Sequence, residues 1–225
     1  MLLSTLVSCK RFKSSDSQKA FVNEFNRHLS LPLTADSLFI AQLDTLEAMD
    51  LPLLETLQTD TVKEELAGTL NASIGECLFI EKLKQSGRYQ GYLDSLSPGM
   101  IKNAMAFKVG KIELKDGTHL LLWGINESSF DADPFFSGTS IIASYTNNKG
   151  GLTHVVIDES YNAGDPPSFL QKRTTAQLTE NEMRITTKTQ ARDADEEEWK
   201  KETAFLKLQL ESGELKVLQK ASSKN

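Results

Sequence analysis

The sequence holds only two cysteines, three histidines and six prolines among 225 residues, and the shortages exclude whole classes of site. Cys9 and Cys77 lie in unrelated contexts and belong to no CxxC pair, so neither a disulfide framework nor a cysteine metal site is indicated. His28, His119 and His154 form neither HxxxH nor HExxH, and a zinc site would have to be assembled by the fold alone. There is no GxSxG elbow, no phosphate-binding loop and no GxGxxG. Basic charge is short as well: 25 Lys and Arg against 31 Asp and Glu leave a net charge of −6. The basic cluster Lys10-Arg11-Lys13 makes no stripe for phosphates, so nucleic acid is not an expected partner. No apolar run approaches the roughly 18 residues of a membrane span, and any membrane attachment is expected through an anchor.

What is present suits one globular core. The chain is 39% hydrophobic and 25% charged, the balance of a folded domain with polar edges. At this length a domain buries roughly 70–75% of its unfolded surface and needs no metal or disulfide to hold it. The strongest pattern runs from Ala106 to Glu159. AFKVGKIELKDGTHLLLWGIN reads as a β-hairpin turning on Asp116-Gly117, a pair suited to a tight type I′ turn. GTSIIASYTNNKGGLTHVVIDE reads as a second hairpin through Asn147–Gly151. Phe107 and Val109 share one strand face, whereas Ile112 and Leu114 fall on the other. A one-residue slip at Gly110 restores a common apolar face, which predicts a β-bulge there. Leu120 and Leu122 alternate with Leu121, Trp123 and Ile125, so this strand is expected at the centre of a sheet, covered on one side by helices.

Further along, Thr174–Leu178 and Met183–Gln190 are expected to pair, and Ala204, Leu206, Leu208 and Leu210 to face inward. Ser212-Gly213 turns into Leu215–Leu218, and residues 221–225 are expected to fray. Ahead of the hairpins, Ser15-Asp16-Ser17 caps a helix through Phe21, Phe25 and Leu29 that Leu31-Pro32-Leu33 ends. Thr59-Asp60 caps another through Val62, Leu66 and Leu70. CLFIEKL at 77–83 fits a strand or a buried helix, and the strand is favoured. The expected architecture is α+β, a single domain over 16–220. N-terminal helices over 16–104 precede an antiparallel β-meander of about eight strands over 105–219, an open barrel or a twisted sheet.

Residues 1–15 read as a truncated signal and lipid-anchor tether. Leu6-Val7-Ser8-Cys9 resembles the lipobox of bacterial lipoproteins, in which a peptidase cuts before a cysteine that becomes acylated. Only eight residues precede Cys9 and none is basic. A signal peptide has a charged start and an apolar core of roughly 7–15 residues, so the leader is expected to be truncated. The alternative expectation is a cytoplasmic protein with a short apolar start. Gly110-Lys111-Ile112, Leu114, Asp116-Gly117 and Leu120-Leu121-Leu122 follow a GKIxLxDGxxLLL pattern behind a polar tether and a Leu-Pro-Leu break. In this order of parts the chain resembles small envelope lipoproteins of the Bacteroidetes type. That resemblance implies a lipidated Cys9 and membrane attachment through the lipid. With Lys10-Arg11 in place of an acidic patch after the cysteine, it implies a periplasm-facing position in the cell envelope. It implies no activity.

Asp131 and Asp133, in the loop between the hairpins, are the candidate metal ligands, since calcium takes several carboxylate oxygens. Against this stands ordinary loop chemistry, in which aspartates cap turns. The run Asp193–Glu198 lacks the glycine of a calcium loop and reads as a solvated hairpin end. No cofactor is expected. Trp123, Phe135, Phe136 and Tyr145 are the candidate ligand- or partner-contacting residues. Core packing explains sheet aromatics equally well, except for Phe135-Phe136 in its polar loop. The expected function is therefore non-enzymatic: a lipid-anchored envelope protein that binds a protein partner or small ligand through its sheet face and loops. The alternative is a hydrolase or metal-dependent enzyme built from Asp131, Asp133, Asp158 and His154.

Overall fold

The computed structural model describes residues 15–36, 39, 41, 46–58, 70–97, 100–129, 135–146, 152–164, 167–196, 198–211 and 214–224. It opens with helix α1 (Ser15–Asn23), strands β1 (Leu33–Ala35) and β2 (Glu47–Ala48), and helices α2 (Leu51–Gln58), α3 (Leu70–Gln85) and α4 (Tyr89–Ser95). Strands β3 (Asn103–Glu113), β4 (His119–Ser129), β5 (Phe135–Thr146) and β6 (Leu152–Gly164) follow. The chain ends in β7 (Phe169–Leu178), β8 (Glu182–Arg192), β9 (Lys200–Glu211) and β10 (Glu214–Lys224). One open antiparallel sheet takes in all ten strands, running in order from β10 to β2, with β1 set against β7.

The expectation of an antiparallel sheet with a few helices holds, but the strands number ten rather than about eight. The two extra strands come from the stretch read as helical, so the helices are no unbroken block ahead of the sheet. At three and two residues, β1 and β2 are too short to show a period, and they form by pairing with β7 and β3. The chain end also differs from expectation, because β10 continues to Lys224 against β9 instead of fraying.

Helix α1 stops at Asn23, short of Leu29. The backbone beyond it docks on the sheet: Lys111 N donates to Arg27 O and Leu29 N to Lys111 O, both at 2.8 Å. The buried Lys111 ammonium donates to the Val22 carbonyl at 3.5 Å and to Asn23 Oδ1 at 3.4 Å. A cation thus stands at the negative C-terminal end of the helix. Helix α2 starts on Asp50, whose Oδ1 accepts the Leu53 amide at 3.0 Å. Pro52 lies in its first turn, where a missing N–H costs nothing.

Helix α3 overturns the strand favoured for Cys77–Leu83. Of its buried residues, Leu70, Ile74, Cys77 and Leu78 follow i, i+4, i+7 and i+8, and Ile80 flanks that stripe. Two of these lie outside CLFIEKL, which is why that run alone carried no helical period. The helix expected between Thr59 and Leu70 lies almost wholly outside the described residues.

The first hairpin is present, and its register slips between Lys108 and Gly110. Val109 is the extra residue, and Phe107, Val109, Ile112 and Leu114 share one core as the bulge predicted. The turn is wider than expected. Gly117 N bonds Leu114 O and Leu114 N bonds Thr118 O, both at 2.9 Å, which closes a three-residue loop. Gly117 has φ +76°, the left-handed position that glycine fills in such loops.

Two cores result. Phe25, Leu54, Leu57, Ile74 and Cys77 of the helical stretch pack against Leu121, Trp123 and Ile142 on one sheet face. On the other face, Phe107, Leu120, Ile141 and Ile157 of β3–β6 meet Ala176, Met183, Leu208 and Leu215 of β7–β10. Strands so far apart in a meander touch only if the sheet curls back on itself. The hinge of that curl is the β6–β7 pair. Strand β6 carries a second bulge at Ile157 and pairs with β7 only over Glu159–Ala163, while Ala176–Leu178 of β7 turn to β1 instead.

Candidate ligand-binding cavity

Where β6 and β7 part, the curled sheet encloses a cavity of about 490 Å³. A single cross-sheet row supplies much of its wall: Ser140, Glu159, Thr174, Thr187, Ala204 and Ser222 are successive register partners from β5 to β10. Side-chain size accounts for the space. Along the inner face, β7 passes from Leu178 through Ala176 to Thr174, β8 from Met183 through Ile185 to Thr187, and β9 from Leu210 through Leu206 to Ala204. The large members fill the second core, and the small ones leave it open. Leu70 and Ser73 of α3, Ile125 of β4 and Val156 of β6 close the opposite side.

The polar groups of the wall are organised. Glu159 Oε2 meets Lys172 Nζ at 2.9 Å and accepts from Thr174 Oγ1 at 3.2 Å. Thr174 in turn lies 2.9 Å from the Thr187 hydroxyl. Ser73 donates to Glu127 Oε2 at 3.2 Å, while Oε1 of that carboxylate is buried without a partner among the described residues. Burial pushes the Glu127 pKa up, against the lowering effect of the Ser73 bond.

Strand β10 contributes through a third bulge. Val217 pairs with Leu208 but Gln219 with Lys207, so Leu218 is extra. Without it, Gln219 and Ala221 would lie opposite Leu206 and Ala204; with it, Lys220 and Ser222 do. Lys220 thereby reaches the cavity rim, where it is exposed and has no ion-pair partner among the described residues.

The residues singled out from the sequence are elsewhere. Trp123 and Tyr145 are fully buried, Trp123 under the helices and Tyr145 in the second core, so neither presents a surface to a ligand or partner. Phe136 is half-buried and stacks on Tyr161, with ring centroids 6.2 Å apart. The Phe135 side chain, Asp131, Asp133 and Cys9 lie outside the described residues. Cys77 is a buried thiol whose pKa is driven up, first by burial and then by Glu127.

His154 and Asp158, two members of the enzyme alternative, are not brought together. Their partners on β5 are Ser144 and Ile141, an odd number of residues apart, so the two side chains take opposite faces. His154 is sealed in the helix-side core. Trp123 Nε1 donates to Ser144 Oγ at 2.7 Å, and Ser144 Oγ lies 2.6 Å from His154 Nδ1. The indole can only donate, so Ser144 Oγ accepts from it, and the direction of the serine–histidine bond follows the tautomer of the ring. Burial holds the His154 pKa down at about 4, weakly opposed by the Leu57 backbone. A serine and histidine in contact resemble a nucleophile and its base, but water cannot reach either.

Asp158 borders a separate recess of about 340 Å³ with Ser160, Arg173 and Lys188. Its pKa is raised to about 6, by burial first and by the charge of Asp36 second. Among the described residues no cluster of three or more His, Cys, Asp or Glu could hold a metal ion.

Sequence reading missed Lys172, Thr174, Thr187 and Lys220. The available signal was the change along one strand face, from Met183 and Ile185 to Thr187 and Thr189. Comparison with protein-family models, curated proteins and solved structures finds no match to the chain.

Proposed function

We propose that this protein is a non-enzymatic binding module that takes up a small, partly apolar ligand in the cavity at the parting of β6 and β7. One observation carries the reading: a cavity of about 490 Å³, lined by apolar, hydroxyl-bearing and charged side chains, opens where Thr174, Thr187 and Ala204 follow the large residues of the second core along β7, β8 and β9. Cavities of roughly 300–1,000 Å³, apolar with a few placed polar groups, are the usual form of a small-molecule site. Here Ile125, Val156, Ile185 and Leu206 offer the apolar surface, and the Glu159–Lys172 pair with Thr174 and Thr187 offers fixed polarity. In the same proposal the domain is held at the cell envelope by a lipid on Cys9, facing the periplasm. The lipobox-like Leu6-Val7-Ser8-Cys9 supports this part.

Ala204→Phe tests the cavity, because a phenyl ring at that register position occupies the opening between Thr187 and Ser222. N-phenyl-1-naphthylamine, an uncharged apolar fluorophore, is expected to bind the wild-type protein saturably at one site and to lose that binding in Ala204→Phe. Equal binding by the two proteins, with the variant folded by circular dichroism, would remove the reading.

A further inference from the structure

The cavity's ligand can be specified further by charge, an inference that rests on the binding reading above. The two carboxylates that line the cavity, Glu159 and Glu202, each have a cation within reach, while Glu127 behind Ser73 keeps one buried oxygen without a partner among the described residues. Glu159 is held by Lys172 and Thr174, and Glu202 by Lys224 at 3.9 Å. Lys220 is the cation left over at the rim, with Ser222 two residues along the same inner face. Its place there is not an accident of a regular strand. The extra residue Leu218 turns the inner face of β10 from Gln219 and Ala221 to Lys220 and Ser222. The apolar part of the lining includes Leu70, Ile125, Val155, Val156, Ile185 and Leu206.

We infer that the cavity binds an amphiphilic anion, a medium-chain carboxylate or similar acyl compound, with its head at Lys220 and its chain lying inward. A chain buried against these apolar residues gains about 0.8 kcal/mol per methylene removed from water. The charged head remains at the mouth, where Lys220 meets it and water still reaches it. A cationic head would face an unmatched ammonium, and an uncharged head would forgo the pairing. Selectivity for the sign of the head group is therefore the distinguishing property.

Competition against bound N-phenyl-1-naphthylamine reads this directly, with dodecanoate, dodecanol and dodecyltrimethylammonium as competitors below their micelle concentrations. Dodecanoate is expected to compete best in the wild type. Lys220→Ala should weaken it about five- to tenfold, the range of a partly exposed charge-assisted contact, and Lys220→Glu should weaken it further while favouring the ammonium. The fluorophore's own affinity is measured for each variant and competition is read relative to it, and Lys216→Ala is expected to leave that affinity unchanged. Lys216→Ala is the control for net charge, since Lys216 lies opposite Gln209 and outside the cavity wall. If dodecyltrimethylammonium competes as well as dodecanoate, or if Lys220→Glu leaves dodecanoate unaffected, the head-group assignment fails while the cavity stands. If the fluorophore binds Ala204→Phe as it binds the wild type, both readings fail together.

Discussion

Replacing Asp158 with asparagine should make the protein more stable at neutral pH and, at the same time, more sensitive to acid. The expectation comes from two buried groups with opposite shifts. His154 titrates near 6.5 when unfolded but at about 4 in the fold, because burial opposes its charge. Between those values the unfolded chain binds a proton that the folded chain refuses, so stability is complete above pH 6.5 and falls as pH drops toward 4. Each pH unit of that window is worth about 1.4 kcal/mol, or about 3 kcal/mol over the whole of it. Asp158 behaves in reverse. Its folded pKa of about 6 lies above the usual 3.8, so its contribution is complete below pH 3.8 and is lost as pH rises through 6. From pH 6 to 4 the two slopes therefore oppose, and the wild type hides the histidine.

Asp158→Asn keeps the size and an acceptor oxygen while removing the titration, so the histidine slope emerges. His154→Gln removes the other slope and leaves the aspartate's. Urea unfolding followed by tryptophan fluorescence, from pH 4 to 7.5 on all three proteins, measures the differences; carboxylates remote from Asp158 and His154 contribute equally to all three and cancel. The reasoning is refuted if the stability gap between Asp158→Asn and the wild type is the same at pH 4.5 and pH 7. It is equally refuted if His154→Gln still loses stability on acidification as steeply as Asp158→Asn does.

Gly124→Ala should destabilise by about 1–3 kcal/mol in the same urea assay, the usual range for overpacking. A Cβ there would stand 2.3 Å from Phe107 Cζ and 2.8 Å from Ile141 Cδ1, in a fully packed core. For the anchor, intact mass of the protein made from its native gene should show a chain beginning at Cys9 with added acyl mass, absent in Cys9→Ser. An unmodified chain still carrying residues 1–8 would rule the anchor out.

Strand and hairpin positions were legible because a period of two is local: the pairing of Ser144 with His154 and of Leu178 with Met183 agrees with the alternation of their neighbours. The Val109 bulge was legible for the same reason, as a conflict between neighbouring apolar faces that only one extra residue resolves. Helix α3 was misread because four apolar residues in a row satisfy either period, and the deciding Leu70 and Ile74 lie outside that run. Strands β1 and β2 were invisible because a two- or three-residue strand is defined by the edge it joins.

The site was the least legible part. Alternation marks Trp123 and Tyr145 as sheet aromatics, but whether such a ring meets solvent or a second layer depends on how far the sheet curls, and here both are covered. The sequence alone determined an antiparallel sheet with a few helices, the alternating inner faces of β8 and β9, and the first bulge. All of these depend on residues a few positions apart. Only the tertiary structure decided that β6 and β7 part at Glu159 and Thr174, that the sheet folds over its own face, and that the slip at Leu218 puts Lys220 on the cavity rim. Those features join residues more than sixty positions apart, from Glu159 to Lys220, and no local period carries that information.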